Sequence, residues 1–122
     1  MPKPKPRILC LDDDQDTCEV ATALLQSEGY EVVTAETLAD ALRLIEMDGF
    51  SLYIVDEWLP DGEGIDFIRQ IRQSGSKTPI LVHSANAFQH NVDAAIGAGA
   101  NEYLVKPEGW KRLPQVVNSL LR

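Results

Sequence analysis

Five short runs rich in apolar residues, at 8–11, 31–34, 52–55, 80–83 and 102–105, recur along the chain with a longer segment after each. The first, third and fourth are almost uninterrupted in apolar character, which suits a parallel strand covered on both faces. The second is more polar and suits a sheet edge. Between the runs, apolar residues return at helical spacing: Val20, Leu24 and Leu25; Leu38, Leu42 and Ile45; Ile65, Ile68 and Ile71; Val92, Ala95 and Ile96; Leu113, Val117, Leu120 and Leu121. Thr37 is a predicted N-cap, and Gly29, Gly49, Gly75 and Gly99 stand where helices should end. Pro114 fits best as a first-turn residue of a helix beginning near Leu113. Five β-α units in succession, joined by right-handed crossovers, predict a doubly wound five-stranded parallel α/β sheet with helices on both faces.

At 122 residues this is one domain. The net charge is -8, and residues 1–7 hold three of the basic residues, leaving eight basic against 19 acidic residues in the body. A body so acidic argues against direct nucleic-acid binding, which needs a clustered positive field. Residues 1–6, basic and rich in proline, read as a flexible extended arm, and residues 7–122 as the domain. No window approaches the roughly 18–20 apolar residues of a membrane span, and no secretory signal is present, so the expectation is a cytoplasmic protein. Cys10 and Cys18 read as reduced, buried thiols rather than a disulfide, and their spacing matches no metal motif.

In an open parallel sheet, ligands bind beyond the carboxyl ends of the strands. The residues found there are Asp12, Asp13 and Asp14 after the first run, Asp56 and Glu57 after the third, Ser84 after the fourth, and Lys106 with Pro107 after the fifth. Singly, each has an ordinary explanation as a cap, a turn former or an exposed lysine. Jointly they make a chemical device. Asp12, Asp13 and Asp56 brought together would repel, so that one pKa rises or a cation binds between them. An all-oxygen donor set suits a hard ion such as Mg²⁺. With that ion and Lys106 to offset phosphoryl charge, Asp56 becomes a candidate nucleophile.

The stretches ILCLDDD at 8–14, LYIVDEWLPDGEG at 52–64, PILVHSA at 79–85 and NEYLVKP at 101–107, in that order and approximate spacing, resemble a response-regulator receiver domain over nearly all of residues 7–121. The resemblance implies a flavodoxin-like sheet of order 2-1-3-4-5. It implies Asp56 as phosphoacceptor, with Mg²⁺ held by Asp13, Asp56 and the backbone carbonyl of Trp58, and by Asp12 through water. Ser84 and Lys106 would contact the phosphoryl group, and Tyr103 would be the aromatic switch residue coupled to it. The implied donor is a phosphohistidine on a histidine kinase or phosphotransfer protein. The implied output is altered binding of a downstream protein or attached effector through the face of the fourth helix, fifth strand and fifth helix, with room for a phosphorylation-dependent dimer. On this reading the chain is a signalling switch more than an enzyme, limited to self-catalysed phosphotransfer and autodephosphorylation.

Two stretches depart from the family's pattern. Trp58, two after the phosphoacceptor, is large and apolar, and either restricts attacking water or simply packs on the rim. The segment DGEG has Glu63 and Gly64 where relatives often carry Asp-Gly. His83 is predicted to point away from its neighbours as a hydrogen-bonded structural histidine, and His90 to face solvent. Three rival classes compete with this reading. A haloacid-dehalogenase-type phosphatase would use Asp12 and Asp14 but needs a further acidic site downstream. A flavin binder needs a Ser/Thr-rich loop where this chain is most acidic. A receiver-like protein-binding scaffold that is never phosphorylated would not require Asp13, Asp56, Ser84 and Lys106 together. Ending at Arg122, the sequence suits both a stand-alone regulator and a receiver module of a longer chain.

Overall fold

The computed structural model describes residues 5–122, so the first four positions of the expected basic arm lie outside the described residues. The main sheet comprises β1 (Arg7–Leu11), β2 (Glu31–Ala35), β3 (Leu52–Val55), β6 (Ile80–Ser84) and β7 (Glu102–Val105), all parallel, in the order β2-β1-β3-β6-β7. Between β3 and β6 lies a small antiparallel hairpin, β4 (Trp58–Leu59) and β5 (Gly62–Glu63), which the apolar pattern does not announce. Setting the hairpin aside, the five parallel strands in chain order run 2-1-3-4-5. The helices are α1 (Gln15–Ser27), α2 (Leu38–Met47), α3 (Gly64–Gln73), α4 (Gln89–Ala98) and α5 (Gly109–Leu120).

Strand alternation sorts the core into two layers. Leu9, Leu11, Tyr53, Val55, Ile80 and Val82 face α2, α3 and α4, where Ala41, Phe67, Ile68, Ile71 and Ala95 meet them. Ile8, Cys10, Leu52, Ile54, Leu81 and Leu104 face α1 and α5, against Cys18, Ala21, Leu25, Leu113, Val116 and Val117. Among the described residues no helix is long and apolar enough to cross a membrane.

Helix ends follow local chemistry. Thr37 caps α2 by accepting the Asp40 N–H at 3.1 Å. Asp61, from the hairpin, accepts the N–H groups of Leu38 and Ala39 at 2.8 and 3.1 Å, satisfying two more orphan donors of the same helix. Gly99 ends α4 at φ +123°, and its lack of a side chain leaves room for Arg72 beneath it. The Arg72 guanidinium donates to the carbonyls of Gly99, Ser76 and Thr78 and to Asn101 Oδ1, all within 2.8–3.0 Å.

Three local expectations are corrected. Pro114 lies inside α5 rather than in its first turn, because the helix begins at Gly109. Burial of Gly109, Leu113, Val116 and Val117 along one face offsets the missing donor, and the first turn is tightened by Trp110 and Lys111 N–H bonds to the carbonyls of Pro107 and Glu108. Helix α1 is rotated from the Val20 phase: the small residues Cys18 and Ala21 face the sheet with Leu25, while Val20 is exposed. Ile96 of α4 is likewise exposed.

Candidate functional site

The site lies where backbone hydrogen bonding carries the strand registers one step past the strand ends. Leu11 pairs with Val55, and Val55 with Val82. Beyond them, Asp12 N–H donates to the Ala35 carbonyl at 3.0 Å, Asp56 N–H to Leu11 at 2.9 Å, and Lys106 N–H to Ser84 at 2.8 Å. Asp12, Asp56, Ser84 and Lys106 therefore emerge side by side on one rim. The Lys106–Pro107 peptide is cis.

Carboxylate oxygens of Asp12, Asp13 and Asp56 lie within 4.8 Å of one another. Asp12 is only 3% exposed, Asp56 is partly buried, and Asp13 is open to solvent. Lys106 Nζ donates to Asp12 Oδ2 at 2.7 Å and approaches Asp56 Oδ1 to 3.7 Å. Burial, and then the charge of Asp12, push the Asp56 pKa up to about 6, against the opposing effects of Lys106 and the Glu57 N–H bond. Burial alone would lower the Lys106 pKa, but its bond to Asp12 and the charge of Asp56 outweigh that and hold the pKa above the ordinary lysine value. A cluster of this kind, three hard oxygen donors with one side open, fits a divalent ion that keeps part of its water shell.

Around these groups the expected residues take distinct positions. Asp14, beside the cluster, is the N-cap of α1, accepting the Asp16 N–H at 3.0 Å. Asp56 Oδ1 accepts the Glu57 N–H at 2.8 Å. Trp58 is 58% exposed and lines an open groove with Asp56, Ser84, Phe88 and Lys106; Phe88 is 74% exposed. Ser84 is buried, and its hydroxyl donates to Glu57 Oε2 at 3.0 Å. Tyr103 is half-buried and donates to the Asn86 carbonyl at 2.8 Å. Gly64 is required by close packing, since a Cβ there would collide with the Asp56 carbonyl. His90 is exposed.

His83 corrects an expectation. It is buried and packs edge-on against Trp110 with ring centroids 4.5 Å apart, so it does point to the α5 side. Its Nε2, however, has no hydrogen-bond partner. Burial, with the nearby Lys106 charge, pushes its pKa down to about 4, which keeps the ring neutral.

Sequence reasoning placed Glu57 on the rim but gave it no role. Its carboxylate accepts from Ser84, from Asn91 Nδ2 at 2.7 Å and, more weakly, from the Tyr103 hydroxyl at 3.4 Å. The available signal was its position: an acidic residue directly after a buried strand end, beside another acid.

Comparison with known proteins agrees with this fold. The family model for the response regulator receiver domain matches residues 8–118. The KDP operon transcriptional regulatory protein KdpE of Escherichia coli is 37% identical over 115 residues, covering 94% of this chain and 51% of KdpE. The chain thus spans about half the length of the regulators it matches. A crystal structure of a putative response regulator from Chloroflexus aurantiacus superposes with a TM-score of 0.91 at 31% identity, covering 97% of this chain and 98% of that one. The solution structure of the beryllofluoride-activated NtrC4 receiver domain dimer gives 0.88 at 30% identity, covering 94% and 95%.

Proposed function

Because the chain belongs to the response regulator receiver domain family, we propose that it is a phosphorylation-operated signalling switch with Asp56 as phosphoacceptor. One observation carries the reading: Asp56 shares its rim with Asp12 and Asp13 within 4.8 Å and with the Lys106 ammonium at 3.7 Å. Nucleophile, cation donors and charge-neutralising lysine are thereby within one site.

A carboxylate oxygen of Asp56 attacks the phosphorus of a phosphohistidine on a histidine kinase or phosphotransfer protein. The P–N bond breaks, the imidazole nitrogen leaves and takes up a proton, and an acyl phosphate forms. Asp13, Asp56 and the Trp58 backbone carbonyl would hold Mg²⁺, with Asp12 acting through water. When bound, the ion supplies positive charge to the phosphoryl oxygens. Lys106 turns from Asp12 toward the phosphoryl group, and Ser84 donates its hydroxyl to it. Water later attacks the phosphorus, the acyl P–O bond breaks, and the Asp56 carboxylate returns with release of inorganic phosphate.

The output follows from the groups that move. Ser84 stands on β6 and Tyr103 on β7, so their rearrangement reaches the α4–β7–α5 face. A downstream protein, an attached effector or a second copy of the domain would read that face; the NtrC4 neighbour is a beryllofluoride-activated dimer. A cytoplasmic location, beside the kinase, belongs to the same proposal.

Trp58, on the groove, provides the test. Its fluorescence should change on adding Mg²⁺ and again on adding beryllofluoride, and acetyl phosphate should add one phosphoryl group by intact mass. An Asp56→Asn control separates this signal from that of Trp110 and should lose the beryllofluoride step and the added mass. A protein showing neither a Mg²⁺-dependent response nor labelling of Asp56 would overturn the proposal and leave a non-phosphorylated binding scaffold.

A further inference from the structure

Glu57 carries a charge beside the phosphoacceptor, and the proposed chemistry gives it no role. Its backbone is fixed: the N–H donates to Asp56 Oδ1 and the carbonyl accepts from Gly64, both at 2.8 Å. From that anchor the side chain reaches across the rim to three elements. Oε2 accepts from Ser84 of β6 at 3.0 Å and lies 3.4 Å from the Tyr103 hydroxyl of β7, whose proton goes mainly to the Asn86 carbonyl at 2.8 Å, while Oε1 accepts from Asn91 of α4 at 2.7 Å. A cavity of about 270 Å³ lies alongside, lined by Glu57, Asn91, Ala95 and Tyr103 among others.

Ser84 has one hydroxyl proton to give. While Glu57 holds it, the hydroxyl cannot donate to a phosphoryl group on Asp56. A phosphoryl group would also set about -1.5 to -2 of charge next to the Glu57 carboxylate. Competition and repulsion act in the same direction, and both are released if the Glu57 side chain leaves.

We infer that Glu57 is a positioning residue that latches the unphosphorylated state, withholding the Ser84 hydroxyl while tying α4 and β7 to the phosphoacceptor loop. The inference rests on the phosphoacceptor reading of Asp56. Its consequence is a raised threshold: occupancy of Asp56 must displace the latch before Ser84 and Tyr103 can respond.

A double-mutant cycle tests this, using beryllofluoride affinity in saturating Mg²⁺, followed by ¹⁹F NMR of the bound species. Wild type, Glu57→Leu, Ser84→Ala and the double variant are compared. Releasing the latch should tighten binding by about tenfold or more in Glu57→Leu, as expected for freeing one charge-assisted hydrogen bond. In the Ser84→Ala background there is no hydroxyl to release, and the gain should fall to about twofold or less. If the gain is equal in both backgrounds, Glu57 acts through bulk charge alone and the latch is wrong. Unchanged or weaker binding in Glu57→Leu also overturns it. Should leucine disturb folding, Glu57→Gln, which keeps an acceptor but loses the charge, gives the same comparison with a smaller gain. Absence of Mg²⁺-dependent binding in wild type would instead overturn the phosphoacceptor reading itself, and the latch with it.

Discussion

Lys106 Nζ lies 2.7 Å from Asp12 Oδ2, joining the end of β7 to the end of β1 across the two strands between them, β3 and β6. Both side chains are largely withdrawn from water, so neither charge is supportable alone. Lys106→Met should therefore destabilise the metal-free protein by about 3 kcal/mol, because it strands the Asp12 carboxylate. Mg²⁺ should restore part of that loss. Urea denaturation with EDTA and with Mg²⁺ measures both, and an equal loss in the two buffers would mean that Asp12 gains nothing from the ion.

Asp56 titrates near 6 in the fold, against an ordinary value of 3.8. A raised carboxyl pKa means that the folded state binds the proton more tightly than the unfolded chain, so stability falls as pH rises from about 4 through 6. Asp56→Asn removes this cost. In Mg²⁺-free buffer at pH 7 the variant should be more stable than wild type, and its advantage should shrink toward zero near pH 4. A difference independent of pH would assign the effect to packing.

Asp61 has the opposite sign. Its bonds to the Leu38 and Ala39 N–H groups hold its pKa below the ordinary 3.8, so its contribution is present above that value and fades as pH falls through it. Asp61→Ala should lower Tm at neutral pH, with the difference closing in strong acid, and should leave beryllofluoride binding intact. Thermal scans at several pH values check the first part, and titration the second.

Trp58 lines the groove that holds Asp56 and Lys106. As a cover against solvent it should slow attack of water on the acyl phosphate, and Trp58→Asn should shorten the phosphorylated lifetime severalfold. Loss of phosphorylated mass after removal of acetyl phosphate gives the rate. An unchanged lifetime would reduce the tryptophan to a rim residue.

The strands were legible because burial on both faces forces apolar runs, and the rim was legible because parallel topology places strand ends together. Asp12, Asp13, Asp56, Ser84 and Lys106 follow from those two rules. What escaped reading depends on contacts between distant segments. Nothing local links Asp61 to the start of α2, 23 residues away from Leu38. Cys18 and Ala21 are weak hydrophobes by composition, yet their small size lets α1 approach the sheet, which Val20 does not report. Pro114 shows the same limit, since burial of Leu113 and Val117 overrides a helix-breaking preference. Glu57 was hidden because its partners come from β6, β7 and α4, separated from it by 27, 46 and 34 residues.

The Arg72 guanidinium fixes the carboxyl end of α4 through Gly99, and the β7 approach through Asn101, each at 3.0 Å. At its amino end, the helix follows the exposed 87–88 step and is linked to Glu57 through Asn91. Helix α4 is thus tied at its Gly99 end by a guanidinium and, nearer its start, by the Asn91 bond to Glu57. If the latch proposed above opens, the Asn91 end loses its tie while the Gly99 end keeps its own, so the two ends of one helix would answer unequally to a charge placed on Asp56.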